Sequence, residues 1–165
     1  MILVSACLAG FAVRYDGSDA RNSLAEWLVE RGQAVSACPE ILGGFAIPRP
    51  SAEIVHGEHG HSFRRVRECT GKDVTAPYEL GAKRVLNMVK RNNITVAFLK
   101  DRSPSCGVDV IYDGTFTGAK IKGMGVTARL LASSGVQVFP DTRLNPETVR
   151  PFIDDDLIPD LARFV

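Results

Sequence analysis

The stretches ILVSACLAG (Ile2–Gly10) and AVSACPEILGG (Ala34–Gly44) both contain Val-Ser-Ala-Cys, each time as a short apolar run that reaches a cysteine and opens into a glycine-bearing loop. Each run has the length and composition of a buried strand. Between them SLAEWLVER (Ser23–Arg31) carries apolar residues at helical spacing and is closed by Gly32. Strand, helix and strand in so short a span spell a right-handed parallel crossover. The chain therefore reads as α/β, with a Rossmann-like, mostly parallel sheet carrying helices on both faces.

Working outward, EIVHG and FRRVRE flank the turn-rich EHGHS (58–62) and predict an inserted β-hairpin between Glu53 and Glu68. Thr75 to Asn92 predicts a helix with Thr75 as its N-cap, and ITVAFL (Ile94–Leu99) a buried strand. In VIYDGTFTG (Val110–Gly118), Asp113-Gly114 is a two-residue hairpin signal. Gly125–Ser134 reads as a helix capped by Gly135, VQVF (Val136–Phe139) as a last strand, and Pro146–Phe152 and Leu157–Phe164 as short helices. Residues 1–165 are thus expected to form a single domain, with 140–165 a C-terminal helical extension.

The 165 residues suffice for one sizeable core, and 45% hydrophobic with 24% charged residues is ordinary for a globular chain. A net charge of +1 gives no bulk case for a nucleic-acid partner, and the cluster Arg64, Arg65, Arg67 and Lys72 reads as a solvated strand face. No membrane partner is expected, because the N-terminus lacks a basic leader and no run approaches the length of a spanning helix. The expected location is cytoplasmic. The sequence leaves the oligomeric state open.

In a reducing compartment the four cysteines call for a metal, a reactive thiol or burial rather than disulfides. Ligands of a doubly wound sheet sit outside the carboxyl ends of its strands. Cys7 and Cys38 follow the first two strands, and Cys106 follows ITVAFL through the loop LKDRSPSCG (Leu99–Gly107), so three thiols converge if the sheet is parallel. Cys69, in ECTG, fits no such pattern and reads as a structural or incidental thiol. Thiolates select zinc, copper(I) or iron–sulfur clusters, but neither a CxxC pair nor ferredoxin-type spacing is present. Three separated cysteines suit a cubane with one iron left open. Plain burial of small thiols is the alternative. His56, His59 and His61 fall in the hairpin and read as surface residues.

SACLAG with VRYDG, CPEILGG with PRPSAEI, LKDRSPSCG, YDGTFTG and GVTARLL, in this order, resemble the thiouracil desulfidase family, formerly domain of unknown function 523. The resemblance covers about Ile2 to Val138; Ser51 stands where a second proline is more usual. It implies a [4Fe-4S] cluster ligated by three cysteines, matched by Cys7, Cys38 and Cys106. It also implies non-redox desulfuration of a thiolated uracil (2-thiouracil, 4-thiouracil or a small thiouridine nucleotide) to uracil and sulfide. Related chains acting on thiolated tRNA carry a further C-terminal domain, whereas only Phe139 to Val165 follows here, which favours a small-molecule substrate over a stable nucleic-acid partner.

Within that frame Glu40, two residues past Cys38, is the candidate acid/base, and otherwise an acidic residue in the first turn of a helix. Ser103 and Ser105 flank Pro104 beside Cys106 and could orient water or bind the base, or simply satisfy loop backbone. Lys100 is a candidate for holding negative charge. Arg14, Asp16 and Arg49, with Tyr15, lie in loops after the first two strands and are candidates for binding substrate. Two other readings stand: a Cys106-dependent hydrolase or transferase, which needs a nearby histidine, and a non-enzymatic iron–sulfur sensor or sulfur carrier.

Overall fold

A computed structural model describes residues 1–57 and 64–165. Four strands, β1 (Ile2–Ser5), β2 (Ala34–Ala37), β5 (Val96–Leu99) and β8 (Gln137–Pro140), form one all-parallel sheet in the order β2-β1-β5-β8. The order reverses between β1 and β5. A crevice opens outside the carboxyl ends of a doubly wound sheet at such a switch point, and the first and third cysteine loops leave the sheet from these two strands.

Alternation along the strands decides what covers each face. Ile2, Val4, Val96 and Phe98 point to one side, against Leu24, Ala25, Trp27 and Leu28 of α1 (Ser23–Glu30) and against Leu144, Val149, Ile153 and Leu161 near the C-terminus. Leu3, Ala97 and Leu99 point to the other, against Val85 and Val89 of α3 (Thr75–Arg91) and Ala128 and Leu131 of α4 (Val126–Ser133). Both faces carry helices, as the sequence predicts. Asn22 starts α1 by accepting from the N–H groups of Leu24 and Ala25 at 3.0 and 3.1 Å.

Two hairpins are inserted. Strands β3 (Ala52–His56) and β4 (Arg64–Glu68) pair antiparallel, from Ala52 opposite Glu68 to His56 opposite Arg64. The turn expected between them, with His59 and His61, falls on residues outside those described; His56 is exposed. Strands β6 (Val110–Tyr112) and β7 (Lys120–Lys122) pair likewise, but the two-residue turn expected at Asp113-Gly114 is not formed. Asp113 to Ala119 make a longer connection, because buried Glu53 captures the N–H groups of Gly114 and Phe116 at 2.9 and 3.1 Å. Asp113 then closes a local turn onto Thr115.

Other expectations shift in detail. Thr75 is not the cap of α3: Val74 holds that position, and the Thr75 hydroxyl accepts the Val66 N–H at 2.9 Å, tying the helix to β4. The C-terminal run is only partly α-helical, with α5 (Pro146–Val149) followed by 3-10 turns over Arg150–Phe152 and Asp155–Phe164. Pro151 and Pro159 each lack the N–H that an α-helix would use.

Candidate functional site

The loops after β1, β2 and β5 enclose a cavity of about 550 Å³ whose lining includes Cys7, Cys38 and Cys106. Cys7 is buried in a tight loop, its carbonyl accepting from Gly10 and Ala20. Cys38 caps α2 (Pro39–Leu42), a one-turn helix with Pro39 at its first position, and its thiol faces the Val13 carbonyl at 3.9 Å. Helix α2 sits tightly on α3: a Cβ on Gly81 would run into the Pro39 carbonyl, and one on Gly43 into that of Pro77. That contact fixes the turn bearing Cys38 and Glu40.

Cys106 is presented by a loop wired to the sheet. The Asp101 carboxylate accepts from the N–H groups of Val108, Asp109 and Val110 at 2.8, 3.1 and 3.2 Å. Ser103 Oγ accepts from Ser105 and Cys106 at 3.1 and 3.0 Å. The N–H groups of Val126 and Thr127 at the start of α4 donate to the Pro104 and Ser105 carbonyls. Ser5, the serine of the first Val-Ser-Ala-Cys, accepts the Lys100 N–H at 2.9 Å.

The thiols sense one another. Burial, and then the charge of Cys38, push the Cys7 thiol up to about 11. Burial drives Cys106 well up, Cys38 and Cys7 adding to the effect while a hydrogen bond with Ser5 opposes it. Cys38 is raised by burial foremost and by Glu40. Desolvated sulfurs whose ionisation is further opposed by a neighbouring thiol, as at Cys7 and Cys106, suit a bound cation, which turns that repulsion into ligation. Among the described residues no group of three or more His, Cys, Asp and Glu is arranged to hold a metal ion; a cubane, in contrast, takes one thiolate per iron and so spreads its ligands. Cys69 is exposed and outside the cavity lining.

Glu40 faces the cavity in a buried ion pair: Arg49 Nε meets its Oε2 at 2.5 Å, the two side chains being 5% and 12% exposed. Arg49 also donates to the carbonyls of Val13 at 2.9 Å and Ala46 at 3.3 Å, so it bridges the loops after β1 and β2. Tyr78, buried on α3, lines the same wall; burial, the charge of Glu40 and a hydrogen bond to it push the phenol far above its ordinary value. Lys100 lines the cavity, paired to Asp141 at 2.7 Å, and the other oxygen of Asp141 accepts the Asp101 N–H at 2.8 Å.

Of the remaining candidates, Arg14, Tyr15 and Ser103 line the cavity, while Asp16 and Ser105 do not. Asp16 is exposed and closes a turn by accepting from the backbone and hydroxyl of Ser18 at 3.0 and 2.6 Å. Those bonds hold its carboxyl below the usual range. Ser105 is 1% exposed and turned to Thr127, the hydroxyls 2.8 Å apart. Among the described residues no histidine lines the cavity, and burial raises the Cys106 thiol. Tyr78, Asp101, Asp141 and Glu53 are the lining or bracing groups that sequence reasoning missed. Only Asp101 had a nearby signal, in its place within LKDRSPSCG.

Comparison with known proteins agrees with this architecture. The 2-thiouracil desulfurase family model matches residues 2–143. The uncharacterized protein YbbK of Bacillus subtilis (strain 168) is 45% identical over 148 residues, which cover 88% of this chain and 98% of YbbK. The solved structure of the [4Fe-4S]-dependent thiouracil desulfidase TudS (DUF523Vcz) is similar with a TM-score of 0.76 and 38% identity, over 98% of this chain and 95% of that one. No helix among the described residues is long and apolar enough to cross a membrane.

Proposed function

The chain belongs to the 2-thiouracil desulfurase family, and from that premise we propose that its cavity removes sulfur from a thiolated uracil, using a [4Fe-4S] cluster held by Cys7, Cys38 and Cys106. The observation that carries the reading is the arrival of three thiols from three strand ends at one cavity. Bound there, such a cluster supplies an open iron, a soft Lewis acid for the sulfur of the substrate. The net reaction is non-redox: water provides the oxygen that replaces sulfur on the ring carbon, so a thiocarbonyl and one water give a carbonyl and one hydrogen sulfide.

The protein groups divide the remaining work. Glu40 is the acid/base, taking a proton from the attacking water and returning it to the departing sulfur. Its bond to Arg49 holds the carboxylate in the wall of the cavity. Ser103 accepts two backbone N–H groups, and its own O–H is left to orient the base or the water. Lys100, steadied by Asp141, offsets negative charge that develops as the thiocarbonyl opens. Arg14 binds substrate at the opening, Asp16 shapes the turn that follows it, and Ser105 secures the Cys106 loop to α4. The substrate in this reading is a small thiolated base or nucleotide.

Anaerobic reconstitution, iron and sulfide analysis, and incubation with 2-thiouracil, 4-thiouracil and their nucleotides test this reading. Loss of the thiocarbonyl absorbance with equimolar sulfide release is expected. A cluster-bearing protein that turns over neither base nor its nucleotide would point to a sensor or carrier instead.

A further inference from the structure

A second concavity, of about 580 Å³, lies between β4, α3 and α4. Its floor is apolar, with Val66, Ala82, Val126 and Leu130, and its walls carry Arg64, Lys83 and Arg129 against the single carboxylate of Glu79. The strand alternation of β4 explains the inward arginine: Arg64, Val66 and Glu68 share the more buried face, while Arg65 and Arg67 are exposed. Arg64 is fixed by donating to the Met124 carbonyl at 3.0 Å. Arg129 and Ser133 are one turn apart on α4, as Glu79 and Lys83 are on α3, so each helix turns a polar pair to the groove.

Two guanidinium groups near each other without a shared anion repel, and the positive charge of Arg129, after burial, lowers the Arg64 pKa. Among the described residues neither Arg64 nor Arg129 forms an ion pair, and Lys83 has no carboxylate within salt-bridge reach, Glu79 included. Guanidinium forks match phosphate oxygens, and an apolar floor beside them takes a flat organic body.

We infer that this groove is a second ligand site, binding a phosphate monoester with its phosphate between Arg64 and Arg129 and its apolar body on the floor made by Val66, Ala82, Val126 and Leu130. The site shares no lining residue with the cavity of the three cysteines, and its existence does not depend on the cluster or on desulfuration. It does adjoin the Cys106 loop, because α4 begins on the Pro104 and Ser105 carbonyls.

Isothermal titration of the cluster-bearing protein with inorganic phosphate and with phenyl phosphate, at low and at physiological salt, tests the site. Phenyl phosphate should bind about tenfold tighter than inorganic phosphate, through its buried ring. Arg129→Ala and Lys83→Ala, which alter only exposed side chains, should weaken phenyl phosphate about tenfold and about threefold, and salt should weaken it further. Arg150→Ala, on the opposite side of the sheet, should leave binding unchanged. Equal affinity for the two probes would overturn the organic ligand in favour of a free oxyanion. No binding, or binding that Arg129→Ala and Lys83→Ala leave intact, would overturn the site itself.

Discussion

Removing Arg49 should cost far more stability than removing an ordinary surface arginine. Its side chain is 5% exposed and holds three acceptors: Glu40, the Val13 carbonyl and the Ala46 carbonyl. In Arg49→Met the Glu40 carboxylate, 12% exposed, loses its cationic partner, and breaking one side of a buried pair costs about 3–5 kcal/mol. For a chain of this length that is roughly 6–20 °C in unfolding midpoint. Glu40→Gln should cost less, because Arg49 retains its two carbonyls and the amide oxygen still accepts. The double variant should then recover at least about 1 kcal/mol relative to the sum of the single changes. Urea unfolding of cluster-free protein by far-UV circular dichroism is the assay, since a bound cofactor would spoil the two-state treatment. A cost below about 1 kcal/mol for Arg49→Met, the value of an exposed pair, or strict additivity, would refute the argument that this pair holds the wall together.

Gly81→Ala should destabilise by about 1–3 kcal/mol, because its Cβ meets the Pro39 carbonyl and forces α2 off α3; calorimetry reads the loss and desulfuration assays read the displaced Glu40. Asp141→Asn should slow turnover with little change in iron content, since it weakens the hold on Lys100 while leaving all three thiols in place. Glu53→Ala should release the 113–119 connection, seen as faster amide exchange at Gly114 and Phe116, whose N–H groups it now holds. In cluster-free protein at pH 8, iodoacetamide should modify exposed Cys69 first. Cys7 stays protonated and slow there, and its rate should climb only as pH approaches about 11.

What was legible in the sequence was local. Val-Ser-Ala-Cys marks a strand and the residue that leaves it, so β1, β2 and the delivery of Cys7 and Cys38 follow from a few adjacent residues. Asp113-Gly114 misled for the opposite reason: a good local turn signal lost to Glu53, far away in the chain, whose buried carboxylate needed those N–H groups. Thr75 likewise looked like a cap but serves β4 instead. The groups around Glu40 and Lys100 were invisible because their partners, Tyr78 and Asp141, come from other elements and carry no motif. Ser103 and Ser105 are equivalent in sequence, and only packing separates them: one reaches the cavity, the other bonds to Thr127.

The central claim is tested most directly by iron content after anaerobic reconstitution of four single variants. Wild type and Cys69→Ser should each hold about four irons per chain, and Cys7→Ser, Cys38→Ser and Cys106→Ser should each lose the stable cluster. A full complement of iron in any of those three, or its loss in Cys69→Ser, would contradict the three-cysteine site.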